Sequence, residues 1–125
     1  MKFLHAADLH LDTPFRGLSG LTPALREQLV TAPLRALTRL VDLAVTERVL
    51  LVGDLFDQQG QSVQAQAALM AALERLNTAA IPVILSFGNH DFQADLGRWH
   101  FPANVHVFGS QVTTVTLTTV AQERV

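Results

Sequence analysis

Cysteine is absent from the 125 residues, which excludes disulfides and thiolate metal sites and fits a reducing compartment. Charged residues are sparse at 16%, and the formal net charge of −2 provides no basic footprint of the kind nucleic-acid binders show. Any reading that involves DNA must therefore come from motifs. Long apolar runs are missing as well: nothing approaches the roughly 18 uninterrupted apolar residues that a bilayer span requires. The apolar start of the chain is interrupted at once by Asp8, His10 and Asp12, which is not the pattern of a secretory signal. The expectation is a soluble, cytoplasmic protein with no membrane partner. Aromatic residues are few, at 6%, so Trp99 and Phe101 are read as core residues and not as platforms for stacked bases.

What is present is apolar material enough for one packed domain: 49% of the residues are hydrophobic. Lys2–Ala7 is a short apolar run that reads as a buried strand, with His5 packed inside it. His10–Gly20 is rich in turn formers. Thr22 before Pro23 marks a helix start, and Thr31 before Pro33 repeats the signal. Two helices are therefore predicted, the second running to about Arg48 with Leu37, Leu40, Val41 and Ala44 as its apolar stripe. Val49–Val52 is a short second strand and Gly53–Gly60 a polar loop. Ser62 caps a helix to about Thr78 that buries Ala65, Leu69, Ala72, Leu73 and Leu76. Ile81–Phe87 is the third strand, and Val105–Phe108 and Val112–Thr118 predict a hairpin or two adjacent strands around Gly109-Ser110. This alternation predicts a layered α/β fold on a parallel sheet.

Three clusters of metal-capable residues follow the three strands: Asp8-Leu9-His10, Gly53-Asp54-Leu55-Phe56-Asp57, and Gly88-Asn89-His90-Asp91. Each alone reads as an ordinary turn after a strand. Together they carry more, because ligands in open α/β sheets sit outside the carboxyl ends of the strands. The three clusters are thus predicted to converge on one crevice. Carboxylates, an amide oxygen and imidazoles without thiolate favour Mn²⁺, Mg²⁺, Fe²⁺ or Zn²⁺. Two such cations about 3.5–4 Å apart can clamp a phosphate. Asp54 is the natural bridging carboxylate, because Gly53 lets the backbone approach closely.

On these residues the sequence resembles the calcineurin-like metallophosphoesterases, whose signature is D-x-H, then G-D-x-x-D, then G-N-H-[DE]. Phe3-Leu4-His5-Ala6-Ala7-Asp8-Leu9-His10-Leu11-Asp12 with Pro14-Phe15-Arg16-Gly17 is similar, more narrowly, to the bacterial DNA-repair exonuclease branch of SbcD-like and YhaO-like proteins. Gly53-Asp54-Leu55-Phe56-Asp57 and Ile81-Pro82-Val83 carry the same likeness. The resemblance implies that Asp8 and His10 hold one metal, Asp54 bridges two, and Asn89 holds the second. It implies that His90 faces the scissile phosphate, oriented by Asp57. The implied reaction is in-line attack of metal-bound hydroxide on a phosphodiester, with two divalent ions, Mn²⁺ preferred. The implied partners are DNA or another phosphodiester substrate, together with a partner ATPase.

Two departures from the pattern shape the expectations. The family completes its site with later histidines in a G-H-x-H element, whereas the last histidine here is His106. His106 itself reads as a structural strand residue. Residues 1–125 are therefore expected to be the N-terminal portion of one metallophosphoesterase domain, incomplete at its C-terminus. The alternatives are a small-molecule phosphoesterase on the same site and an inactive remnant. The second departure is the middle strand, which is about three residues shorter than the branch carries; an odd change in length exchanges a strand's faces. The position of Asp54 is thus the point for the structure to decide.

Overall fold

In the computed structural model the described residues are 3–15, 17, 19–44, 48–56, 62–87, 99–109 and 111–117, with the backbone alone for 48–52. The chain runs β1 (Phe3–Ala7), α1 (Pro23–Ala44), β2 (Arg48–Val52), α2 (Val63–Thr78), β3 (Val83–Ser86) and β4 (Val105–Phe108). The four strands form one parallel sheet in the order β1-β2-β3-β4. Parallel neighbours need a crossover, and α1 and α2 supply it for the first two pairs. Both helices lie on one face of the sheet, where Leu37, Val41 and Ala44 of α1 join Leu69, Leu73 and Leu76 of α2 and Val83 and Leu85 of β3 in a single core. Each fully buried leucine contributes about 2 kcal/mol of burial. On the opposite face Phe3, His5 and Ala7 of β1 and His106 of β4 are exposed, while Ile84 and Phe108 are half-buried.

The second helix forms as its residues dictate. Ser62 is the N-cap, its Oγ accepting from the Ala65 amide at 3.0 Å, an interaction that stabilises by about 1 kcal/mol. The five predicted residues are its buried face. At the other end Ala80 turns left-handed at φ 54°. The Ile81 amide then donates to Leu76 O and the Ala80 amide to Asn77 O, both at 2.9 Å. This closure satisfies the last carbonyls and is most often made with glycine.

Four expectations are corrected. Pro23–Ala44 is one helix of 22 residues with Pro33 inside it, not two. Thr22 caps it as expected, its Oγ1 accepting from Leu25 at 3.3 Å. The Thr31 hydroxyl, however, donates backwards to Glu27 O at 2.9 Å and starts nothing. An interior proline costs about 3 kcal/mol, partly because the carbonyl four residues back, here that of Leu29, loses its donor. The Arg35 guanidinium donates to the neighbouring Gln28 O at 2.7 Å, and the buried stripe beyond the proline holds the helix to the sheet. Second, β4 pairs in parallel with β3, and residues 112–117 form no strand; Val112 is fully exposed. β-propensity only expresses packing against neighbours, and that stretch pairs with no strand among the described residues. Third, His5 is exposed and not packed in the core, because the strand's alternation turns Leu4 and Ala6 toward the helices instead. Fourth, the loop after β2 is not polar throughout, since Leu55 and Phe56 are fully buried.

Candidate metal centre

The middle strand, read as four residues, has five. Its register sets Val52 level with Ala7 of β1 and Ser86 of β3. The chain therefore leaves all three strands at the same height, and the loops after β1 and β2 continue side by side. The Gly53 amide donates to Ser86 O at 2.8 Å, the His10 amide to Asp54 O at 3.1 Å, and the Leu11 amide to Leu55 O at 2.9 Å. These bonds prolong the sheet's pairing by some three residues past the formal end of the strands. Leu11, Leu55 and Phe56 anchor the extension from below, all buried.

The backbone of this crest is unusual. Asp8, His10 and Asp54 all have positive φ, at 53°, 42° and 42°, and Gly53, directly before Asp54, lies at 59°. Left-handed backbone costs an L-residue about 1–2 kcal/mol. Asp and His are among the side chains that adopt it most readily. Glycine at 53 allows two left-handed residues in succession. Such strain persists only where the surroundings over-determine it, and it gathers at functional sites. Here the loop-to-loop hydrogen bonds and the three buried anchors supply that constraint.

The outcome is that one carboxylate oxygen of Asp8, one of Asp54 and one ring nitrogen of His10 lie within 4.8 Å of one another. Asp8 is exposed and the other two are half-buried, so the cluster is open to solvent on one side. Oxygen and nitrogen donors at about 2.0–2.2 Å from a cation stand at most about 4.4 Å apart. Side-chain rotation of a few tenths of an ångström would bring all three into one coordination sphere. Two carboxylates this close repel each other, and a cation between them removes the repulsion. The donor set, two carboxylates and an imidazole with no sulfur, suits a hard or borderline divalent ion. The residues fit such a group.

Three other predicted site residues, Asp57, Asn89 and His90, lie outside the described residues, as does Arg16. His106, read as a structural strand residue, lies in β4 with its ring edge-on to Phe108 at 5.1 Å. What residue-by-residue reading missed is the support beneath the site. The apolar pair Leu55-Phe56 between Asp54 and Asp57 is itself the sequence sign of a loop that dips into the core. No helix among the described residues is long and apolar enough to cross a membrane.

The sequence is similar to those of known proteins. The chain is 42% identical over 118 residues to the uncharacterized metallophosphoesterase YhaO of Bacillus subtilis (strain 168), a match that covers 90% of this chain and 28% of that protein. The chain thus spans little more than a quarter of its relative's length. The calcineurin-like phosphoesterase family matches residues 1–121. A parallel sheet with Asp-x-His and Gly-Asp at adjacent strand ends, matched over nearly its whole length, makes this chain a member of the calcineurin-like phosphoesterase family.

Proposed function

We propose that the chain carries the first half of the centre of a metal-dependent phosphodiester hydrolase of the DNA-exonuclease type. The observation that carries the reading is the convergence of Asp8, His10 and Asp54 within 4.8 Å at the carboxyl ends of β1 and β2. Divalent cations, two of them and Mn²⁺ by preference, would supply Lewis acidity toward the phosphate and lower the pKa of water. Asp8 and His10 would hold the first and Asp54 would lie between the two, with Asn89 serving the second. His90 would donate a proton or hydrogen bond toward the leaving oxygen, and Asp57 would orient its ring. The DNA-directed part of the reading is supported by the local likeness of residues 3–17 and 53–57 to the DNA-repair branch. On this reading residues 1–125 are the N-terminal portion of one metallophosphoesterase domain.

A second reading keeps the site and exchanges the substrate for small phosphoesters such as nucleotides. The net charge of −2 favours it, because a DNA-binding surface ordinarily carries basic excess. Hydrolysis of linear DNA, a nitrophenyl phosphodiester and a nucleotide panel with Mn²⁺ separates the two. Asp54→Ala and His90→Ala serve as controls. Turnover of DNA that both substitutions abolish is the expected result. Turnover confined to nucleotides would move the assignment to the second reading, and equal rates in wild type and mutants would remove the catalytic one. Calorimetric titration with Mn²⁺ tests the centre itself, binding by wild type and about a hundred-fold weaker binding by Asp54→Ala being expected; no binding by wild type would point to an inactive remnant.

A further inference from the structure

Four aromatic rings form a chain beside the metal centre. Phe56, two residues after Asp54 and fully buried, lies 5.9 Å from Trp99 between ring centroids. Trp99 stacks on Phe101 at 5.6 Å with the planes 10° apart, and Phe101 meets Phe87 at 6.4 Å. Phe87 directly follows β3, so the rings tie the loop after β2 to the end of the neighbouring strand through residues 99–101. That segment is itself anchored: the Asn104 side chain donates to Ile81 O at 2.7 Å, and the Val83 amide donates to Asn104 O at 2.9 Å. Pro102 is buried. Asp54 thus sits in left-handed backbone between a hydrogen bond from Gly53 to β3 on one side and a buried ring held by Trp99 on the other.

We propose that Trp99, acting through Phe56, is a positioning residue for the Asp8/His10/Asp54 ligand set. Resting on the metal-centre reading above, the inference adds the element that keeps Asp54 at the spacing a cation requires. Stacked rings suit the task because they are stiff and hold preferred geometry. A leucine at 99 would fill part of the space and let Phe56 tilt, relaxing the strained loop away from His10. Groups that hydrogen-bond metal ligands from behind commonly change affinity 10–100-fold when removed, and a ring acting through the ligand's loop belongs at the low end of that range.

The test is Mn²⁺ affinity measured by calorimetry on the 125-residue chain, with melting temperature recorded beside it. Trp99→Leu should bind Mn²⁺ about ten-fold more weakly, and Trp99→Phe, which keeps a ring to stack, should stay within about three-fold of wild type. Leu73→Ala, in α2 and not one of the ring-to-ring pairs, supplies a destabilised control that should keep its affinity when folded. Phe101→Leu, which removes the stacking partner but keeps Trp99, should also weaken binding and stands in if Trp99→Leu does not fold. Wild-type affinity in Trp99→Leu, or in Phe101→Leu where that variant stands in, overturns the inference. An equal loss in Leu73→Ala does so too, since it would mark a general effect of destabilisation. Binding lost in Asp54→Ala but intact in Trp99→Leu would overturn this inference alone. No Mn²⁺ binding by wild type would overturn the metal reading and this inference with it.

Discussion

The helix-covered core and the crest of loops above the strands use opposite means. The core is relaxed: Leu37, Val41, Leu69, Leu73, Leu76, Val83 and Leu85 are buried within regular elements, and their contribution is apolar area removed from water. The crest is strained: its polar residues Asp8, His10 and Asp54 all lie in left-handed backbone, held by bonds between loops and by apolar anchors below. Stability made in the first region maintains the geometry of the second. Substitutions should therefore separate the two, costing stability in one place and ligand binding in the other.

The largest effect belongs to the core. Leu69→Ala should lower the unfolding free energy by about 3 kcal/mol in denaturant titration, while the folded fraction binds Mn²⁺ as before; lost affinity at preserved fold would break the division. Next comes the crest. Asp54→Gly should weaken Mn²⁺ binding about a hundred-fold, roughly 2.7 kcal/mol. It should leave stability unchanged or raise it by about 0.5 kcal/mol, because glycine adopts positive φ freely although it loses more entropy on folding. A marked fall in melting temperature would show that Asp54 supports the fold. Ala80→Gly sharpens the comparison, since the same backbone strain occurs there at a helix end far from any ligand. A gain of about 0.5–1 kcal/mol with Mn²⁺ affinity unaltered is expected. The smallest effect should come from the ion pair between Arg75 and Asp42, 2.7 Å apart and with both side chains more than half exposed. Asp42→Asn should cost less than about 0.5 kcal/mol, and a loss above 2 kcal/mol would mean that surface charge contributes to the core.

Some elements are legible without coordinates because their signals are local. Ser62 and the 3.6-residue spacing of Ala65, Leu69, Ala72, Leu73 and Leu76 specify α2 from its cap to its buried face. Pro33 sends a local signal that the fold overrides, since packing along Leu37, Val41 and Ala44 outweighs one lost hydrogen bond. The β-rich stretch 112–117 and the exposure of His5 fail for a related reason. Whether a β-prone segment pairs, and which face of a strand is covered, depends on neighbours distant in the chain.

Residue types and their order by themselves determined the parallel α/β alternation, the second helix, and the motifs Asp8-x-His10 and Gly53-Asp54 that carry the family. Tertiary structure alone decided that five residues of β2 set Val52 level with Ala7, and so brought Asp54 to Asp8 and His10. The reason is physical: a motif specifies which atoms can bind a cation, whereas the distance between loops 44 residues apart in sequence, from His10 to Asp54, is set by strand register and by the buried side chains beneath them.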